Sequence, residues 1–144
     1  MIVPDANLLL YAYDSTSSLQ PAASQWLEES LTGADTVGLS WLTIGAFLRI
    51  STNFRLARGR ISMEVATQIV DAWLARRAVR LIVPAEQHWI LLKQMLTAGR
   101  VQGPETTDAQ LAALTIEHGG VLYTNDRDFA RFPGLRWVNP LSEL

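Results

Sequence analysis

Residues 2–13 read IVPDANLLLYAY, and this stretch sets a pattern that the rest of the chain repeats. Ile2 and Val3 begin a short β-like run that ends at Pro4-Asp5, and a short apolar helix is predicted over residues 7–13. A strand that passes directly into a helix is the unit from which parallel sheets with helical connections are built. The opening of the chain therefore favours an α/β fold.

The same alternation continues to the end of the chain. Further strands are predicted at residues 36–40, 80–83, 121–124 and 136–138, separated by helices at residues 21–31, 42–53, 62–77, 84–98 and 107–118. Pro84 is expected to open one helix, and Thr107 is expected to begin another with Gln110 at capping-box spacing. Strands separated by helices imply a central parallel sheet of about five strands, covered by helices on both faces.

Length and composition narrow the class of protein. A chain of 144 residues suits one domain, residues 1–144, and a 49% hydrophobic content is enough for a core. The absence of cysteine excludes disulfides, thiolate zinc sites and cysteine nucleophiles, and it fits a reducing cytosol. The first residues lack the basic region of a signal peptide, and no apolar run approaches the roughly 20 residues of a membrane span. We therefore expect a cytoplasmic protein that makes no membrane contact.

The net charge of the chain does not predict a general affinity for nucleic acid. The formal net charge is −2, whereas proteins that coat nucleic acid carry a basic excess, so positive charge would have to be concentrated locally. Lys93 is the only lysine, and the arginine bias fits a GC-rich genome as well as phosphate binding. The stretch with Arg55, Arg58 and Arg60 is either a contact for a nucleic-acid backbone or a solvated basic loop.

Four acids stand out as candidates for chemistry: Asp5, Asp108, Asp126 and Asp128. Asp5 follows the first predicted strand and Asp126 follows the fourth. If those two strands are neighbours, both carboxylates lie beyond the carboxyl ends of the sheet, where function gathers in open parallel sheets. The sequence alone leaves the strand order open.

Several unpaired carboxylates in one cleft raise one another's pKa, and a divalent cation removes that repulsion. Hard oxygen ligands suit Mg²⁺ or Mn²⁺, which can activate water without any histidine or cysteine. Each acid also has an ordinary structural interpretation. Asp5 and Asp126 can be turn residues or helix caps, Asp108 suits the positive end of a helix, and Asp128 suits a solvated first turn.

Four segments resemble, in chain order, the motifs of PIN-domain VapC toxins. They are VPDANLLLYA at residues 3–12, AFLRISTN at 46–53, TDAQLAAL at 107–114 followed by EHG at 117–119, and LYTNDRDF at 122–129 followed by FPGL at 132–135. The tail Asn139-Pro140-Leu141 also fits. The ordered set covers the whole chain.

The resemblance implies a PIN-like three-layer α/β/α fold and the toxin activity of a type II toxin–antitoxin system. That activity would be Mg²⁺- or Mn²⁺-dependent hydrolysis of RNA phosphodiester bonds by a metal-activated water. The metal ligands would be Asp5, Asp108 and Asp126, and Asp128 would be a further catalytic acid. Asn7 and Thr124 would support the site. Arg49 would contact phosphate or antitoxin, the alternative being a helix-surface salt bridge.

The resemblance also implies partners. A VapB-type antitoxin would cover the toxin's groove and insert a basic side chain into the acidic site, as charge complementarity allows. The toxin would form a homodimer, and the apolar helix that contains Trp41 and Phe47 is either plain core or part of that interface.

One position departs from the family pattern. The family usually places a glutamate three residues before the arginine of its middle motif, and this chain has Ala46 there, with Gly45 beside it. The loss of this carboxylate predicts weaker metal binding or a single bound metal. Glu105 is a candidate for the missing charge, the alternative being a surface acid in a loop, and the Mn²⁺ affinity of Glu105→Gln separates the two.

Two other functions remain open from the sequence. A phosphatase or phosphoacceptor on a similar sheet would use Asp5 as its nucleophile, but such sites usually need a second nearby acid and a lysine, and Lys93 lies in a predicted helix. A non-catalytic PIN-like binding module is suggested by Ala46 and opposed by the four retained aspartates.

Overall fold

The computed structural model describes residues 1–56 and 59–142, and its centre is a five-stranded parallel sheet. The strand order is β3-β2-β1-β4-β5, and every neighbouring pair is parallel. The strands are β1 Ile2–Pro4, β2 Val37–Leu39, β3 Val79–Leu81, β4 Val121–Tyr123 and β5 Trp137–Val138. The predicted parallel sheet is confirmed, and the order places β1 beside β4.

Six α-helices in the described residues flank the sheet. They are α1 Ala6–Tyr13, α2 Gln20–Thr32, α3 Trp41–Ser51, α4 Met63–Leu74, α5 His88–Ala98 and α6 Thr106–Glu117. One hydrophobic cluster contains residues of α1, α2, α3 and α4. A second packs α5 and α6 against the strands β1 and β4. Helices therefore cover both faces of the sheet, as the sequence predicted. None of these helices is long and apolar enough to cross a bilayer, within the part of the chain that the structure describes.

Short polar caps begin three of the helices. Asp5 has an extended backbone and its side chain accepts a hydrogen bond from the Ala6 amide at the start of α1. Ser40 caps α3 through the Thr43 amide, and Ser62 caps α4 through the Val65 amide. Each cap satisfies a backbone N–H that has no partner inside its helix.

The predicted start of the fifth helix at Pro84 is wrong. That helix begins at His88, and the residues between β3 and it run outside any helix. The Ala85 amide donates to Glu117 Oε1 at 2.6 Å, which fixes this segment against the end of α6. A tertiary contact thus overrides the preference of proline for a first helical turn.

The predicted cap at Thr107 is also wrong. A 3-10 turn at Gly103–Glu105 leads directly into α6, and the Thr106 amide already donates to the Gly103 carbonyl. The residue before the helix is Glu105, which has a helical backbone and makes no side-chain cap bond. An N-cap needs an extended residue, so the capping box of Thr107 and Gln110 has no place to form.

Candidate functional site

The pairing of β1 with β4 brings two sequence-distant polar residues into contact. Pro4 is in register with Tyr123, so Asp5 and Thr124 leave the sheet side by side. Thr124 Oγ1 donates to Asp5 Oδ2 at 2.8 Å, while the Ala6 amide donates to Asp5 Oδ1 at 2.8 Å. Each oxygen of the Asp5 carboxylate therefore accepts one hydrogen bond, which fixes its orientation at the sheet edge.

Thr124 is the centre of a small hydrogen-bond network. Its side chain is fully buried, and its hydroxyl oxygen accepts from Asn7 Nδ2 at 3.3 Å and from the Asp126 amide at 3.0 Å. Asn7 Oδ1 in turn accepts from the Asn125 amide at 3.4 Å. One hydroxyl thus fixes the first turn of α1 and the turn after β4 relative to each other.

Replacement of this hydroxyl tests how much the network contributes. Thr124→Val keeps the shape of the side chain but leaves the Asn7 and Asp126 donors and the Asp5 acceptor without their buried partner. We expect the free energy of unfolding to fall by about 2–4 kcal/mol, measured by urea denaturation. The matched control is Thr124→Ser, which retains the hydroxyl. Equal stability of the valine variant and the wild type would contradict this role.

Asp108 joins the same site from a third segment. A cavity of about 400 Å³ opens at the carboxyl edge of the sheet, and its lining includes Asp5, Asp108 and Asp126. One face of each of α1, α3 and α6 forms its walls, with apolar contributions from Leu10, Leu42, Ile50 and Leu111. The structure therefore brings together three acids that are far apart in sequence.

The carboxylates in this cavity repel one another. Burial raises the pKa of Asp108 to about 6, and the charges of Asp5, Asp126, Asp128 and Glu105 add to that increase. Burial also raises the pKa of Asp5, against the opposing hydrogen bonds from Thr124 and Ala6. Among the described residues no lysine, arginine or histidine lies within 4.0 Å of Asp5, Asp108 or Asp126 as an ion-pair partner. Within the described residues no ion pair therefore balances the charge of these three carboxylates, although Arg49 lines the same cavity.

The fourth predicted acid, Asp128, lies at the edge of this group. It is exposed in the 3-10 segment Arg127–Arg131, and its amide donates to Asp126 Oδ1 at 2.9 Å. It does not line the cavity, although its charge acts on Asp108. Its contact fixes one oxygen of Asp126, and the other accepts no hydrogen bond from the described residues.

Arg49 and Glu105 are two further candidates whose positions the structure gives. Arg49 lines the cavity on α3, and no carboxylate of the described residues forms a salt bridge with it. Ala46, one turn earlier, lines the same wall where the family pattern has a glutamate. Glu105 lies just before α6 and forms an ion pair with Arg131, which lowers the pKa of Glu105. Its charge is thus already matched by an arginine.

Neither Arg55 nor Arg60 lines the cavity. Arg55 and Arg60 are exposed, and the Arg55 guanidinium lies 5.5 Å from the ring centre of Phe54. Arg58 lies outside the described residues. Lys93 is exposed on α5 and does not line the cavity. It therefore does not supply the lysine that a phosphatase site would need.

Some residues of the site could not be recognised from the sequence. Thr43 lines the cavity and its hydroxyl donates to the Pro4 carbonyl at 3.2 Å. Asn139 Nδ2 donates to Asn125 Oδ1 at 2.9 Å and so supports the turn before Asp126. The only sequence signal for Thr43 is a hydroxyl residue inside an apolar helix. Asn139 belongs to the tail that resembles the family, but the sequence indicated no role for it.

Comparison with protein families agrees with this arrangement. The family model described as PIN domain matches residues 2–135. The chain is 40% identical over 141 residues to Ribonuclease VapC37 of Mycobacterium tuberculosis, covering 97% of each chain. It is 34% identical over 143 residues to Ribonuclease VapC33 of the same species, covering 99% of this chain and 100% of that relative.

Solved structures share the fold at low sequence identity. VapBC2 from Rickettsia felis, solved bound to a DNA fragment from its promoter, matches with a TM-score of 0.72 and 19% identity over 96% of this chain and 98% of that one. A toxin–antitoxin complex from Klebsiella pneumoniae matches with a TM-score of 0.66 and 18% identity, over 97% and 98% of the two chains.

Proposed function

This chain belongs to the PIN-domain family and is a VapC-type ribonuclease, and from that premise we propose that it is a toxin whose RNA cleavage depends on Mg²⁺ or Mn²⁺ held by Asp5, Asp108 and Asp126. The observation that carries the proposal is the convergence of these three carboxylates, from three separate segments, on one cavity in which none of them forms a salt bridge with another described residue.

The donor set fits a hydrated divalent cation. Desolvation and mutual repulsion raise the pKa of Asp5 and Asp108, and bound positive charge would relieve both effects. No group of three or more acids or histidines in the described part of the chain is close enough to hold one ion by itself. A single ion would therefore contact only one or two of these carboxylates directly and the rest through water, which is the usual coordination of Mg²⁺ in proteins.

The chain's own residues have distinct tasks in this scheme. Asp5, fixed by Thr124 and Ala6, is a rigid anchor, and Asp108 supplies a second carboxylate across the cavity. Asp126 offers its free oxygen to orient water near the scissile phosphate, and Asp128 adds charge from the edge. When bound, the cation supplies a lowered pKa for water and shields the phosphodiester charge.

The direct test uses purified protein freed of any antitoxin. We expect RNA cleavage with Mg²⁺ or Mn²⁺ and its loss with EDTA, followed by recovery when the cation is returned. Cleavage that persists fully in EDTA would contradict the metal dependence. A complete absence of metal-dependent cleavage would support the alternative of a non-catalytic binding module.

A substitution that restores the family carboxylate tests the site through a gain in metal affinity. Ala46→Glu places an additional acid on the cavity wall, and we expect Mn²⁺ affinity to rise by roughly tenfold because a further oxygen donor faces the ion. The matched control is Gly45→Glu, which puts the same charge one residue away at an exposed position outside the cavity lining. Equal affinities for the two variants would contradict the role of Ala46.

The same unpaired negative charge supports the expected partner. A VapB-type antitoxin would place a basic side chain in the cavity, where it would neutralise Asp5, Asp108 and Asp126. Arg49 at the cavity wall is free to contact an RNA phosphate or an acidic group of the antitoxin. The cognate antitoxin and Mn²⁺ should therefore compete for binding.

The homodimer remains a prediction. Large apolar side chains are exposed near β3, at the start of α3 and on α5, namely Trp41, Leu81, Val83, Trp89 and Ile90. Apolar patches of this kind commonly mark interfaces, which supports a second copy as their partner. Sedimentation of the antitoxin-free protein measures the state directly.

A further inference from the structure

The Arg131 side chain joins two segments that carry different acids of the site. Its Nε donates to the Gly99 carbonyl at 2.8 Å, its Nη2 donates to the Arg100 carbonyl at 3.3 Å, and its Nη1 pairs with the Glu105 carboxylate. One guanidinium thus contacts three residues of the connection between α5 and α6. The planar fork of arginine suits such multiple contacts, which a lysine ammonium cannot reproduce.

The connection that Arg131 contacts is closely packed and conformationally unusual. Arg100 has a φ of 53°, a left-handed conformation that is unfavourable for residues other than glycine. A Cβ at Gly99 would lie 2.7 Å from the Met95 carbonyl oxygen and 2.9 Å from Phe132 Cε1, so the loop backbone packs directly against the residue after Arg131. These contacts hold the loop in a conformation that its own sequence disfavours.

This loop leads straight to Asp108. Glu105 is the residue before α6, and it makes no side-chain cap bond because its carboxylate faces Arg131. Asp108 lies in the first turn of that helix and accepts no side-chain hydrogen bond from the described residues. Asp5 and Asp126, in contrast, are tied together through the sheet and Thr124. The position of Asp108 therefore depends on how the start of α6 is held.

We propose that Arg131 is a positioning residue that sets Asp108 relative to Asp126 by joining the start of α6 to the 3-10 segment that follows Asp126. The inference rests on the proposed metal function, since its effect is on the geometry of the cation site. Arg131 does not line the cavity.

An ordinary surface ion pair would behave differently. The side chains of Arg131 and Glu105 are 30% and 44% exposed, and pairs of this exposure usually contribute little to stability. If Arg131 were only such a pair, its loss would leave cation binding unchanged. If it positions Asp108, cation binding falls while the folded state persists.

The test measures Mn²⁺ binding by electron paramagnetic resonance in antitoxin-free protein. We expect Arg131→Ala to weaken Mn²⁺ binding by up to about tenfold, the lower end of the loss seen when a direct partner of a metal ligand is removed, because Arg131 acts through the loop before α6. Arg131→Lys should recover only part of that loss. The control is Arg136→Ala, which removes a similar arginine contact, Nη2 to the Gly119 carbonyl at 3.1 Å, at the opposite end of α6.

The outcomes separate this inference from the function on which it rests. Wild-type protein that binds no Mn²⁺ contradicts the proposed metal site itself. Wild-type binding that Arg131→Ala leaves unchanged, or that Arg136→Ala weakens equally, overturns the positioning role. Arg131→Gln, which keeps a polar side chain with an amide donor, gives the same comparison if the alanine variant does not fold.

Discussion

Asp5→Asn should lower cation-dependent RNA cleavage by about 1000-fold or more, because a charged ligand of the cation becomes a neutral amide. The substitution preserves the volume of the side chain, and its amide oxygen keeps one of the two hydrogen bonds that Asp5 accepts from Ala6 and Thr124. The fold should therefore survive, and the loss should be one of chemistry. Both RNA cleavage in vitro and mapping of RNA ends after induced expression measure the effect.

The matched control for this substitution is Asp71→Asn. Asp71 is exposed on α4 and does not line the cavity, so the same loss of one negative charge there should leave cleavage unchanged. Full activity of Asp5→Asn would remove Asp5 from the site. Equal losses in the two variants would point to net charge instead of a specific ligand.

Asp108→Asn should change activity and stability in opposite directions. Cleavage should fall by roughly 100-fold or more, because the second carboxylate of the cavity is lost. The metal-free protein, however, should become more stable at neutral pH, since the pKa of about 6 means that folding penalises the ionised Asp108. After allowance for partial exposure, we expect a gain of about 1–2 kcal/mol in the free energy of unfolding.

The sign of the pH dependence follows from the same shift. The pKa of Asp108 rises from 3.8 to about 6 on folding, so between these values the folded state binds more protons than the unfolded state. The stability contributed by this group therefore falls as pH rises through that window, and the full penalty applies above it. Urea denaturation in EDTA should show a stabilising effect of Asp108→Asn at about pH 7.5 that vanishes near pH 4.

Saturating Mn²⁺ should reverse this comparison, since it stabilises the wild type by binding the folded state and binds the variant more weakly. A variant that is less stable than the wild type in EDTA at neutral pH would contradict the repulsion assigned to the cavity.

The sequence predicted those parts of the structure that depend on local pattern. Residues 2–13 form a strand followed by a helix, as their own apolar spacing predicted. The cap at Ser62 is also local, because its hydroxyl lies next to the helix that it caps. The acids that follow β1 and β4 were recognised because a parallel sheet gathers the ends of its strands at one edge. Their proximity depended on a strand order that the structure supplied.

The failure at Pro84 and the missed ion pair of Arg131 have one physical cause, which is contact between residues distant in the chain, whereas the failure at Thr107 is local. Pro84 does not start a helix because Glu117, 32 residues from Ala85, holds the local backbone. Thr107 is not a cap because the preceding 3-10 turn continues into the helix. The ion pair of Arg131 with Glu105 had no local signal at all, since its partners are 26 residues apart and belong to no spacing rule.

The position of Ala46 suggests how this chain differs from the usual family pattern. The position on α3 that would carry another acid holds the apolar Ala46, while Asp5, Asp108 and Asp126 remain. In the proposed cation site, fewer carboxylates would leave more water around the ion, and its geometry would depend more heavily on residues such as Thr124 and Arg131 that would position the remaining acids.

Anomalous diffraction at the manganese edge, from crystals of antitoxin-free protein grown with Mn²⁺, measures where the cation lies. The expected result is one strong peak in the cavity, within bonding distance of a carboxylate oxygen of Asp5, Asp108 or Asp126. A peak at another place, or an empty cavity in protein that still cleaves RNA with Mn²⁺, would contradict a cation site built by these three residues.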